Sequence, residues 1–319
     1  MLSSQRKYLL VLTVVAGLLT MALAPPAGAV INGTPDGTEH RDVGALVHID
    51  AGVLHAGAPS GVLVSPTVMV VAGHSVANAE PALEQGNLWV SFAPTVDKTT
   101  AGGIRVIRAA TLFPAIDIGV LVLAEPAHDA QGPITPATLP SAGLLDQLAA
   151  AHQLQRLPLT VVGYGASAVI NTTPDLSTLG TRRDGDQRAQ ALPPGMPQDL
   201  LVSANVTTPN PATPSVGDSG APYFLQGTDT AVGIVSSTPG LFTSSASFFA
   251  ATRLDTPEVR SFLASFGVPP ALMAPPAASP GRLGLGALCR GVRAGSGGSA
   301  VPGHGELPGA DHARQAARP

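Results

Sequence analysis

Residues 214–224 read PSVGDSGAPYF, and glycine and other small residues crowd around the pair Asp218-Ser219. Such a stretch suits any surface turn, because Gly, Asp and Ser all tolerate tight backbone. It equally suits a serine nucleophile held where its neighbours leave room for a substrate. The short stretch does not choose between these. A base, an acid to orient that base, and a scaffold to hold all three must come from the rest of the chain.

The scaffold is legible on both sides of this stretch. Short apolar runs occur at Ala45–Ile49, Gly61–Val64, Val68–Ala72, Leu88–Phe92, Ile104–Ala109, Ile118–Leu123, Leu159–Tyr164, Leu200–Val206 and Ala231–Ser236. They are rich in Val and Ile and are punctuated by Gly, Pro, Asn and Asp, which indicates an all-β sandwich or barrel. Two helices are expected. Ser141 can cap one that runs to about Leu154. Asp255-Thr256-Pro257 reads as a cap followed by proline in the first turn. There Val259, Phe262, Leu263 and Phe266 fall at i, i+3, i+4 and i+7, an apolar face that packs back on the strands. The stretch Pro126–Pro158 separates two groups of strands, and residues 171–199 are expected to form a long polar loop.

The 319 residues, 45% hydrophobic and 12% charged, suffice for a sizeable core. The net charge of −4 argues against a nucleic-acid partner. Arg6 and Lys7, an apolar run from Tyr8 to Ala24 and the small-residue end Ala27-Gly28-Ala29 make residues 1–29 a secretory signal peptide. The apolar run is short for a membrane span, so no stable membrane association is expected after cleavage. Residues 268–319 are an Ala/Pro/Gly/Arg-rich tail, expected to be disordered. Cys289 is the single cysteine, which excludes an intramolecular disulfide. No spacing suits a metal site, and no cofactor is implied. Asn32, Asn171 and Asn205 lie in sequons.

Three side chains stand where chemistry could be done. His74 lies in VMVVAGHSVA at a strand end, Asp117 in FPAIDIGVLVL just before a strand, and Ser219 in VGDSGAP. A serine hydroxyl needs a base for its proton, an acid to orient that base, and donors for an oxyanion. His40, His48, His55, His128 and His152 have no comparable company and read as structural or surface residues.

VVAGHSV resembles the histidine motif of the chymotrypsin/trypsin-like serine proteases, AIDIGVLVL their aspartate segment, and GDSGAP their nucleophile motif. VVGYGAS and VGIVSST are similar to two further strands of that family, and the order His, Asp, Ser is the family's. The likeness spans residues 30–267. It implies two six-stranded antiparallel barrels, at about 30–125 and 156–254, with a C-terminal helix at 256–266 and the active site between the barrels. It further implies His74 as general base, Asp117 as its orienting acid and Ser219 as nucleophile. The N–H groups of Gly217 and Ser219 would bind the oxyanion. Ser236 would hydrogen-bond Asp117, and residues 236–238 (Ser236, Ser237, Thr238) would pair with substrate as an added strand. Cleavage after Ala29 would expose Val30-Ile31-Asn32-Gly33, similar to the family's mature start. Its new ammonium would pair with Asp218 without any propeptide.

The chain departs from the family at several points. Ser75 and Pro59 stand where the family carries a disulfide, so both halves are missing together. Ala221 replaces a glycine, which is tolerable if that backbone does not need positive φ. Thr213 occupies the base of the specificity pocket and offers no counter-charge to Lys or Arg. Val216 and Thr238 border that pocket, and Phe248 or Phe249 reaches its other wall, so a small or medium apolar residue before the cut is expected. The reading is thus a secreted bacterial endopeptidase, monomeric, acting on peptide or protein substrates. Its rival is an inactive secreted binding protein on the same scaffold.

Overall fold

The computed structural model describes residues 30–50, 53–96, 103–170, 173–204, 207–208, 211–236 and 249–269. The expectations for the leader, the tail after residue 269, Cys289, Asn171, Asn205, Ser237, Thr238 and Phe248 fall outside these, while Val268, expected to begin the tail, is buried with the core at 3% exposure. The chain divides after Ser279 into two units, and every described residue belongs to the first.

Six strands close the first barrel: β1 Val43–Asp50, β2 Val53–Ser65, β3 Val68–Val71, β4 Leu88–Ser91, β5 Ile104–Thr111 and β6 Gly119–Leu123. Their order around the ring is β1-β2-β3-β6-β5-β4, and all neighbours are antiparallel. β3 is apolar throughout because both of its faces are buried. Met69 and Val71 join the cluster that contains Leu46, Leu63, Val90 and Leu121. Val68 and Val70 instead join a second cluster with Val162, Phe224 and Leu254 from the other half of the molecule. A strand that fills two cores reads as an unbroken apolar run.

The second barrel comprises β7 Pro158–Gly163, β8 Arg183–Ala191, β9 Asp199–Ala204, β10 Pro222–Leu225, β11 Ala231–Val235 and β12 Phe249–Arg253. The ring runs β8-β7-β10-β11-β12-β9 and closes through β8–β9 pairing. The two-residue strand Thr34–Pro35 adds to the outside of β8.

β8 corrects the expectation of one long loop over 171–199. Along RDGDQRAQA, burial alternates with period two: Arg183, Gly185, Gln187 and Ala189 face inward. The alternation is ordinary strand behaviour, but polar residues on both faces concealed it. Main-chain carbonyls accept hydrogen bonds from the inward polar groups, although among the described residues the Gln187 Oε1 has no partner. Arg183 Nη1 donates to Gly33 O at 2.6 Å, and Gln187 Nε2 donates to Ala212 O. Strands β10, PYFL, and β12, FAATR, were likewise not read, since neither is a run of Val and Ile.

Three helices complete the described fold: α1 Gly73–Glu84, α2 Leu144–Ala150 and α3 Pro257–Ala264. α1 had no expectation behind it. α2 is shorter than Ser141–Leu154, and no side chain of its own caps it. Of the expected cap Asp255-Thr256, Thr256 holds the N-cap position of α3, and Asp255 instead caps α2. Its Oδ2 accepts the Leu145 N–H at 2.8 Å while Arg253 holds the same carboxylate. α3 starts with proline, as read, and its Val259 and Leu263 are fully buried in the cluster shared by the two barrels. Among the described residues no helix is long and apolar enough to cross a membrane.

The barrels are joined by main chain and by one buried cation. Val96 N–H donates to Gly180 O at 2.7 Å and Arg182 N–H to Pro94 O at 2.8 Å on one side. Thr138 N–H donates to Asp229 O at 2.9 Å on another. The Arg182 guanidinium is 1% exposed and donates to Asp36, Gly37 O, Val43 O, Phe92 O and the Tyr164 hydroxyl. An isolated buried charge would be costly, and here each of the three guanidinium nitrogens has an acceptor, one of them the Asp36 carboxylate.

Candidate active site

His74 sits in the first turn of α1, directly after β3 delivers the chain to the seam between the barrels. Asp117 lies in the turn between β5 and β6. The turn is shaped by Thr111, whose hydroxyl donates to Ile118 O at 2.8 Å and accepts the Phe113 N–H at 2.9 Å. The Asp117 carboxylate meets His74 twice. Its Oδ1 accepts the His74 N–H at 2.9 Å, and His74 Nδ1 lies 2.9 Å from Oδ2. From the second barrel the Ser236 hydroxyl donates to Asp117 Oδ2 at 2.6 Å, and the Thr252 hydroxyl donates to Asp117 O at 3.1 Å. Burial by itself would raise the Asp117 pKa. The His74 ring, the Ser236 hydroxyl and the His74 N–H outweigh it and hold the carboxyl below the ordinary carboxylate value. An ionised Asp117 at Nδ1 favours the tautomer that carries its ring proton on Nδ1.

Ser219 stands across the seam. Its carbonyl accepts the Ser60 N–H of β2 at 3.0 Å. Gly220, with φ of +84°, packs so close to the first barrel that a Cβ would lie 2.4 Å from Ser60 O and 2.7 Å from Ala72 N. Ala72 is two residues before His74, so the nucleophile turn and the histidine share one backbone contact zone. Ala221 is not among the positive-φ residues, so its methyl is accommodated. Ser75 is buried, and its hydroxyl has no hydrogen-bond partner among the described residues.

The turn itself is heavily bonded. Val216 O accepts from Ala166 N–H at 2.7 Å, Ser215 O from Asp218 N–H at 3.0 Å, and Asp218 O from Ala221 N–H at 2.8 Å. The Gly217 and Ser219 N–H groups, by contrast, have no acceptor among the described residues. Two adjacent unclaimed donors beside a serine can receive a developing oxyanion.

Behind the turn, Asp218 is 0% exposed. Gly165 N–H donates to its Oδ1 and Ser215 N–H to its Oδ2, each at 2.8 Å. Burial pushes its pKa up to about 7, against the opposing N–H bonds of Ser215, Gly165 and Val30. Gly163 and Gly165 leave the space it occupies, since a Cβ on Gly165 would meet the carboxylate at 2.5 Å. Val30 is fully buried, and its main-chain N–H points at Asp218.

The expected specificity residues are only partly gathered. Thr213 is half-buried, and its main chain pairs with Ile31, N–H to O at 2.9 and 3.0 Å. Val216 is 55% exposed beside Gly217. Phe249 opens β12, paired with Val202. Sequence reasoning missed Phe113, which is 42% exposed and lies edge-on to the His74 ring with centroids 6.5 Å apart. It missed Ser60 and Thr252 as well; isolated hydroxyl residues in strands carry no motif. His40, expected to be a structural or surface residue, sits within a structural network. Its ring bonds Asp36 and stacks on Phe224 at 5.1 Å, as part of the Arg182 network.

Two closed antiparallel barrels, a C-terminal helix and a histidine–aspartate pair facing a glycine-lined serine turn define the trypsin-like fold. The solved structures agree on the fold. The chain is similar to HL collagenase at 16% identity, TM-score 0.54, covering 75% of this chain and 98% of that one. It is also similar to two scabies mite inactivated protease paralogues. S-I1 shows 16% identity and TM-score 0.52, covering 73% of this chain and 97% of that one. S-D1 shows 13% identity and TM-score 0.52, covering 75% and 97%. No family model and no curated protein matches the sequence.

Proposed function

We propose that the chain is a secreted serine endopeptidase of non-tryptic specificity. The observation that carries this reading is the Asp117–His74 pair, braced by Ser236, set across the seam from a serine turn with two unclaimed N–H donors. His74 Nε2 takes the Ser219 proton as Oγ attacks the scissile carbonyl, and the oxyanion settles on the Gly217 and Ser219 N–H groups. The carbon–nitrogen bond then breaks, with His74 returning the proton to the leaving amine. Water, deprotonated by the same histidine, cleaves the acyl ester and restores Ser219.

On this reading the substrate backbone is received at Ser236, where an added strand would begin. Thr213 offers no charge for a basic residue, and Val216 and Phe113 present apolar surface, which favours small or medium apolar residues near the cut. Removal of residues 1–29 converts the Val30 amide into an ammonium already aimed at Asp218. Signal cleavage is thereby also activation.

Labelling by a fluorophosphonate tests the reading. The secreted form beginning at Val30 should label, Ser219→Ala should not, and turnover should fall by about 10⁶ in that variant. Absence of labelling in folded protein beginning at Val30 would transfer the assignment to a binding scaffold, a role suggested by the inactivated paralogues among the fold's neighbours.

A further inference from the structure

We propose that Ser60 is a positioning residue for the oxyanion donors, holding the nucleophile turn of the second barrel with a hydroxyl supplied by the first. The inference rests on the serine-hydrolase reading given above. Ser60 lies in β2 and is 0% exposed. Its hydroxyl accepts the Tyr164 N–H at 2.9 Å and donates to Gly217 O at 3.2 Å, while its own N–H donates to Ser219 O at 3.0 Å. Since Tyr164 N–H occupies the oxygen as acceptor, the hydroxyl proton is directed at Gly217 O.

The arrangement of peptide planes gives this contact its consequence. Each peptide is rigid, so fixing its C=O fixes its plane. The two donor planes are 216–217, which carries the Gly217 N–H, and 218–219, which carries the Ser219 N–H. Plane 217–218 lies between them, with its C=O on Ser60 Oγ and its N–H on Ser215 O. Plane 219–220 follows, with its C=O on Ser60 N–H and its N–H on Val235 O at 2.7 Å. Ser60 therefore grips the plane between the donors and the plane after them. Gly217, at φ of +94°, is the joint where such a grip is most needed, because glycine restrains its own dihedrals least. The anchor is itself fixed. Tyr164 donates its hydroxyl proton within a network of Val43 O at 3.2 Å and Ala93 O at 2.8 Å, and Arg182 Nη1 holds the same oxygen at 3.1 Å.

The test is Ser60→Ala in the full secreted form beginning at Val30. Expected are a kcat about 10- to 100-fold lower, the range for small misplacement of catalytic groups, and an unchanged KM. Affinity for a peptide boronate, which forms a tetrahedral adduct on Ser219, should fall by the same factor as kcat/KM. Hydrogen exchange in residues 214–221 should quicken while the β5–β6 ladder exchanges as before. A variant with wild-type kcat, boronate affinity and turn exchange overturns the proposal, even if it melts earlier through loss of the Tyr164 acceptor. Should the alanine variant not fold, Ser60→Cys keeps a weaker donor and is read by the same three measurements. If the wild type neither labels nor turns over, it is the hydrolase reading that has failed. The exchange rate of 214–221 then still decides whether Ser60 holds the turn.

Discussion

Asp117 and Asp218 lie on opposite sides of the nucleophile and are perturbed in opposite directions. Burial works against the charge of both. Asp117 is met by a ring nitrogen, a hydroxyl and an N–H, and stays below the ordinary carboxylate value. Asp218 is met only by main-chain N–H groups, and its pKa is driven to about 7. Asp117 faces the His74 ring, whose hydrogen bond and charge both lower its pKa, whereas Asp218 has only main-chain N–H groups among the described residues to set against full burial. The residue aimed at that pocket is Val30, the one whose N–H would become an ammonium on cleavage after Ala29. On the proposed reading, cleavage after Ala29 would add a positive charge beside Asp218.

The largest effect that would break this contrast is at Asp117. Asp117→Asn preserves shape but removes the charge on His74, so kcat should drop by about 10⁴ with the fold intact by circular dichroism. Wild-type turnover in that variant would remove Asp117 from the mechanism. Next comes the N-terminus. A form that keeps Ala27-Gly28-Ala29 ahead of Val30 should be slower than the form starting at Val30 by about 10²–10³, the worth of a misplaced oxyanion donor. Equal rates would show that Asp218 needs no ammonium.

The pH dependence sharpens the same point. In the extended form Asp218 holds its proton to about pH 7 when folded, against 3.8 ordinarily, so the folded state binds the extra proton in between. Its stability should therefore decline as pH rises across that window, by up to about 1.4 kcal/mol per unit. The form starting at Val30 should lack this decline, which denaturant titration at several pH values would detect. The smallest effect is steric. Gly165→Ala brings a Cβ to 2.5 Å from the Asp218 carboxylate and should cost about 1–3 kcal/mol of stability, with Asp117 undisturbed.

The same contrast divides what could be read in the chain from what could not. Asp117 was found through the apolar strand that follows it, and Ser219 through the motif GDSGAP, placed in order after those of His74 and Asp117. Each motif lies within ten residues of the side chain concerned. Ser60 had no such signal, since its contacts at Gly217 lie 157 residues away. Arg182 reads as one of several charges in a polar stretch until its partner Asp36, 146 residues earlier, closes over it. Strand β8 was missed because its inward face carries Arg183 and Gln187, groups that are apolar in effect only when Gly33 and Ala212 accept their protons. Asp255 has the local pattern of a cap for α3, yet its carboxylate serves α2.

The sequence by itself determined most of the strands, the apolar face of α3 and the three side chains at the seam. Periodicity and motif chemistry act over a few residues and need no knowledge of the partner. Only the tertiary structure decided which polar groups go inside and which hydroxyl steadies the turn. It also decided which carboxylate is left short of charge. Those outcomes depend on donors and acceptors brought together from distant parts of the chain, and on burial, which no residue possesses until the barrels close around it.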